Sequence, residues 1–210
     1  MFLVALGPCL LEPDDKAARL VRTLFVTPSE ARQHSLVPAP RAVAARASLA
    51  EARALADRLV GDGLPALVLG PDDVITDAKR FLARTFVVTD EGVGAVRKDG
   101  GQARLPWGDV AFAIVGVRKT GAPFVDLVDG NGGALSVRER DTLFDASTGL
   151  GVTGARAGVV ALGQLARQKS NARVDDALIK PGALQKVLGA FASTPTADDW
   201  AVSLVVKSLS

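Results

Sequence analysis

Residues 81–128 read FLARTFVVTDEGVGAVRKDGGQARLPWGDVAFAIVGVRKTGAPFVDLV. Apolar and polar positions alternate over short runs, and each run stops at residues that favour turns: Asp90-Glu91-Gly92, Asp99-Gly100-Gly101 and Gly121-Ala122-Pro123. A period of two bounded by such turns predicts strands, here over 81–89, 93–97, 103–107, 110–118 and 124–128. A further strand over 134–137 follows Asp129-Gly130-Asn131-Gly132, so the region is expected to be an antiparallel meander. Trp107 follows a turn-forming proline and precedes an alternating apolar strand, which predicts that it is buried.

On the C-terminal side, Val159, Leu162 and Leu165 recur at helical spacing within 155–168, a helix suited to cap an open barrel end. Another helix is expected over 183–191. The apolar segment 200–206 fits either a strand or a helix.

The N-terminal side has a different texture. Phe2–Leu6 is a short apolar run closed by Gly7 and Pro8, which predicts a buried strand. Asp14 and Asp15 sit where a helix start favours negative charge, and Ala17, Leu20, Val21, Leu24 and Phe25 follow on one helical face. Thr27-Pro28-Ser29-Glu30 opens a second helix that ends by about Leu36. Residues 41–47 read as a strand, Ser48-Leu49-Ala50-Glu51 as a capping box opening a third helix, and 64–69 as the last strand. The expected order is strand, helix, helix, strand, helix, strand. The boundary between textures falls near 70–76, giving expected domains of 1–72 and 78–210 in an α+β protein.

Composition narrows the function. With 25 basic and 23 acidic side chains, the net charge of +2 gives no single-sign field for a polyanion, so nucleic acid is not an expected partner. One cysteine, Cys9, excludes an internal disulfide, and one histidine, His34, weakens every metal scheme built on imidazoles. A reducing, cytoplasmic setting follows, with no metal and no cofactor. The apolar run at the N-terminus lacks basic flanks and is too short to span a bilayer, so no integral membrane segment is expected.

Chemical motifs are sparse. The pairs Asp14-Asp15, Asp72-Asp73, Asp175-Asp176 and Asp198-Asp199 read as helix or turn starts rather than as converging carboxylates. Asp126, Asp129 and Asn131 lack the phasing of a calcium loop and read as a hairpin turn. Neither Cys9 nor a serine near His34 sits in a nucleophile elbow, and Gly149, Gly151 and Gly154 lack the ending of a phosphate loop. No catalytic residue is assigned. Arg97, Lys98, Arg104, Arg118 and Lys119 stand at expected strand ends, where they could form a basic rim for an anion or lipid head group.

The element order of residues 2–70, with Glu30-Ala31-Arg32 on its second helix, resembles the C-terminal domain of the bacterial ribosomal stalk protein and the Clp-protease adaptor fold. Residues 81–168, with Thr89-Asp90-Glu91-Gly92 and Leu105-Pro106-Trp107, resemble bacterial pleckstrin-homology-like domains. Both folds serve mainly for docking. The resemblance implies a non-enzymatic adaptor or scaffold that meets a protein through the second helix, at Glu30, Arg32 and His34. The alternatives are binding of an anionic small molecule or lipid head group at the basic rim, with peripheral membrane contact, and an enzyme using carboxylates distant in sequence.

Overall fold

The computed structural model describes residues 1–37, 40–152, 154–180 and 182–210. Its first elements are β1 (Phe2–Leu6), α1 (Pro13–Leu24), α2 (Pro28–Leu36), β2 (Arg41–Arg46), α3 (Leu49–Gly61) and β3 (Ala66–Leu69). Then come β4 (Arg80–Leu82), β5 (Thr85–Val88), β6 (Gly92–Val96), β7 (Gln102–Pro106), β8 (Val110–Val117), β9 (Pro123–Asp129) and β10 (Ala134–Arg138). The chain continues through α4 (Ala155–Lys169), β11 (Arg173–Leu178), α5 (Ala183–Leu188) and α6 (Ala197–Leu209). The class is α+β.

The chain divides into two compact units, one formed by Met1–Val74 with Leu184–Ser210 and the other by Ile75–Ala183. The sequence reading gave residues 184–210 to the second domain; the structure packs them with the first.

In the first unit, β2, β1 and β3 lie in that order in an antiparallel sheet. Val4 and Leu6 face α1, α2 and α3, burying Leu20, Ala31, Ala52, Leu55 and Leu59. Leu3 and Ala5 alternate to the other face of β1 and are also buried, as are their partners Leu69 and Ala42. On β3 the cover is α6, and on β2 it is the short helical turn Gly189–Ser193. The ambiguous run at 200–206 is therefore helical. Asp198 and Asp199 occupy its first turn, and Ala201, Val202, Leu204 and Val205 are buried.

The capping boxes are present at both expected helix starts. Ser48 accepts from the Glu51 amide at 3.2 Å while Glu51 accepts from the Ser48 amide at 3.1 Å. Thr27 and Glu30 do the same for α2.

The second unit holds a three-stranded sheet β5-β6-β7 and a five-stranded sheet β11-β8-β9-β10-β4. The expected single strand over 81–89 is split at Ala83 and Arg84. The Ala83 amide donates to Ser136 in one sheet and the Arg84 amide donates to Val96 in the other, so β4 and β5 serve different sheets. The five-stranded sheet is mixed rather than purely antiparallel, because β4 runs parallel to β10 and β11 runs parallel to β8. Asp175 and Asp176 lie on β11, not at a helix start. α4 covers β8 and β9, placing Val159, Leu162 and Ala166 over Ala113, Val115, Val125 and Leu127.

Trp107 is 4% exposed, as its position predicted. Its amide donates to Glu91 O at 3.0 Å and its Nε1 to Thr89 O at 3.1 Å, which ties the β5–β6 turn to the end of β7. Gly92 faces Pro106 there, and a Cβ on it would strike the Leu105 carbonyl oxygen.

The same unit buries a charged network. Arg80 Nε donates to Asp126 Oδ2 at 2.8 Å, and Ser136 Oγ donates to Asp126 Oδ1 at 2.6 Å. Arg138 Nε donates to Ser136 Oγ at 3.1 Å and its terminal nitrogens reach both oxygens of Asp77 at 2.5 and 3.2 Å. Asp126 is thus an internal counter-ion, and the hairpin turn is built by Asp129, whose Oδ1 accepts from the Asn131 and Gly133 amides.

Candidate functional site

α2 is nine residues long and its burial follows a helical period. Ala31 and Ser35 are buried against α1, leaving Ser29, Arg32, Gln33 and Leu36 as an exposed stripe on the other side. Leu36 is 62% exposed, and among the described residues no ion pair engages Arg32.

The connection from α1 into α2 is only residues 25–27. Phe25 caps α1 in the left-handed conformation, φ 55° and ψ 35°, with its amide donating to Val21 O at 3.1 Å. Among the described residues it is the sole non-glycine with positive φ. Glycine is the usual residue there, because a Cβ costs about 1 kcal/mol or more in this region. The ring is 83% exposed. The spacing puts Phe25 on one helical face with Leu20, Val21 and Leu24; the helix ends at Leu24, and the short reversal turns the ring outward.

The three expected contact residues stand differently: Arg32 and Glu30 are exposed, Glu30 while capping α2, and His34 is half-buried. Glu30 Oε2 accepts from the amide and hydroxyl of Thr27, both at 2.8 Å, and these bonds hold its carboxyl below the usual range. His34 is half-buried, and its Nδ1 accepts from Arg41 Nε at 2.8 Å. Burial, followed by the charge of Arg41, pushes the imidazole below its ordinary pKa. Arg32 lies on the exposed stripe of α2.

His34 gives a pH prediction. The folded pKa lies below the unfolded value of 6.5, so the unfolded chain takes up the proton first. The stability that neutral His34 confers is complete above about pH 6.5 and is lost as pH falls through the folded pKa. The wild-type melting temperature should fall between pH 7.5 and 5.5, while His34→Gln should stay flatter over that window. Parallel profiles would show that His34 has no part in it.

The basic residues of the expected rim are dispersed. Arg97 lies at the β6–β7 turn, its guanidinium 5.0 Å from the Phe81 ring centre and 3.5 Å from Asp99; the adjacent Lys98 is exposed. Arg104, on β7, is paired with Glu91. Arg118 and Lys119 belong to the β8–β9 turn. Arg104 lines a depression with Asp129 and Asn131 at the opposite end of β9, whose seven residues span roughly 20 Å.

An open depression of about 860 Å³ covers the outer face of β5, β6 and β7, including Val87, Gly94 and Gln102. Its charges are paired, Arg104 with Glu91 and Asp90 with Lys169 at 2.7 Å.

Among the described residues, no group of three His, Cys, Asp or Glu side chains is placed to hold a metal, and no helix is long and apolar enough to cross a membrane. The sequence carried no specific signal for Phe25, because a left-handed cap is only one of the common ways a helix ends. No family model matches the chain, and neither a curated protein nor a solved structure matches it.

Proposed function

We propose that this protein is a non-enzymatic adaptor that docks another protein through the outer face of α2 and the neighbouring Phe25, acting in the cytoplasm. The carrying observation is Phe25, an aromatic side chain 83% exposed at a backbone position where glycine would be more stable. Aromatic and arginine side chains are the residues most often responsible for binding energy at protein interfaces. Arg32 supplies a forked donor for a partner carboxylate, and Leu36 adds apolar surface. The resemblance of residues 2–70 to docking folds points the same way. The basic-rim alternative loses support because its residues are spread over two hairpins and several are paired.

Phe25→Gly separates docking from folding. It should raise the stability of the first unit by about 0.5–1 kcal/mol, since relief of left-handed strain outweighs the added freedom of the unfolded chain. The same substitution should remove the partner captured by cross-linking to the wild type, as should Arg32→Glu, whereas Arg104→Glu with Lys119→Glu should retain it. A partner held equally by wild type and Phe25→Gly would defeat the reading.

A further inference from the structure

The two sides of the sheet β5-β6-β7 are treated differently. Where β4 runs into β5 the main chain is engaged: the Leu143 amide donates to Arg84 O at 2.8 Å, Thr142 Oγ1 donates to Ala83 O at 2.7 Å, and the turn Ala146–Thr148 lies beside β5. At the other side β7 is bonded to β6 and has no strand beyond it.

The register shows which groups face that open side. The Arg97 amide donates to Gly101 O at 2.8 Å and the Trp107 amide to Glu91 O at 3.0 Å, so the hydrogen-bonded pairs fall at Gly101, Ala103, Leu105 and Trp107. The N–H and C=O groups of Gln102 and Arg104 therefore point away from β6. Among the described residues none of these four groups has a partner, and both residues are exposed. Such an edge is a template for another chain. Its outward groups repeat every second residue, about 6.8 Å along the strand. An extended backbone offers its own donors and acceptors at that interval, whereas a helix has already spent them, so the edge specifies the conformation of what it takes up.

Room for side chains runs along the same strand. Ala103 and Leu105 point to the opposite face from Gln102 and Arg104 and are half-buried. With Phe81 and Ala134 they line a depression of about 210 Å³, and Leu105 continues into one of about 490 Å³ beside Ala111 and Asn131. Pro106 offers no N–H and ends the ladder, which keeps the edge short.

We propose that the edge of β7 is a docking site for an extended, proline-free peptide segment of a partner protein, which pairs with Gln102 and Arg104 and adds a fourth strand to the sheet. Antiparallel pairing makes four main-chain hydrogen bonds, and an apolar side chain of the segment enters the depression beside Phe81. The site lies within the unit Ile75–Ala183 and does not depend on docking through Phe25.

The full chain is used to select from a displayed library of random peptides, and the enriched peptide is synthesised with and without N-methyl groups on its alternate amides. Amide hydrogen exchange is then compared with and without it. In the unbound protein Gln102 and Arg104 should exchange fast and Ala103 and Leu105 slowly; the peptide should slow Gln102 and Arg104 by roughly tenfold or more. Arg104→Ala keeps the outward N–H and should bind within about threefold of wild type, whereas Arg104→Pro removes it and should bind at least about tenfold more weakly. That N–H faces away from β6, so slow exchange at Val93 and Ala95 should persist and report an intact sheet. N-methylation of the peptide makes the same test without altering the protein, and should weaken binding as much. Phe25→Gly should bind the peptide as wild type does. Failure of the library to enrich any peptide would overturn the site, as would a peptide that leaves Gln102 and Arg104 unprotected, that tolerates both Arg104→Pro and N-methylation, or that is lost in Phe25→Gly.

Discussion

Asp126→Ala should destabilise the unit Ile75–Ala183 by about 3–5 kcal/mol, the usual penalty for removing one partner of a buried ion pair. The side chains of Arg80 and Asp126 are each 2% exposed, so the guanidinium left behind cannot recover its lost bond from bulk water. Ser136 loses its acceptor at the same time, and Arg138 loses the oriented hydroxyl it donates to. Asp77 remains 3.4 Å from Arg80, but its side chain is half exposed and engaged by Arg138. Urea unfolding followed by Trp107 fluorescence, in a Trp200→Phe background, reads this unit separately. The double variant Arg80→Met with Asp126→Leu should recover most of the loss, because an apolar pair of similar volume avoids stranding a charge. A loss below about 1 kcal/mol in Asp126→Ala would mean that water or a rearranged Asp77 replaces the carboxylate.

Trp107→Ala should cost about 3–5 kcal/mol in the same unit through lost apolar contact and the cavity left among Phe86, Val93 and Val110. Trp107→Phe keeps most of the ring volume but not the Nε1 donor, leaving the Thr89 carbonyl without that partner. Its cost should be smaller, about 1–2 kcal/mol. Calorimetric melting of the three proteins should therefore rank them wild type, Phe, Ala. Equal melting temperatures for Phe and Ala would assign the effect to the hydrogen bond rather than to packing.

Local chemistry made much of the fold legible. Ser48 and Glu51 announce α3 because both halves of its cap lie within four residues, and the Asp99-Gly100, Gly121-Ala122-Pro123 and Asp129-Gly130 turns mark β6 to β10 because each of those strands pairs with a sequence neighbour. What escaped depends on distant partners. Arg173–Leu178, reading RVDDAL, is extended because β8 supplies a parallel neighbour, and nothing in a hexapeptide with two adjacent aspartates carries that information. The kink at Ala83 and Arg84 likewise records a choice between Ser136 and Val96 as hydrogen-bond acceptors.

The candidate sites were legible only in part. Arg32 could be placed on α2 from the Thr27 cap and helical spacing. The withdrawal of Glu30 into that cap was also implicit in its position three residues after Thr27. The pairing of His34 with Arg41 joins α2 to the start of β2 and has no signature in spacing.

The division of the first unit into two stretches of chain also sets the order in which the protein matures. Residues 75–183 emerge from the ribosome as a complete unit while β3 still lacks α6. A chain truncated after residue 183 and released would carry all of the second unit but leave one face of the first unit's sheet uncovered. Under the proposed docking role, the first unit would acquire its full support only once α6 has been added, which would make competence for binding a late event in biosynthesis.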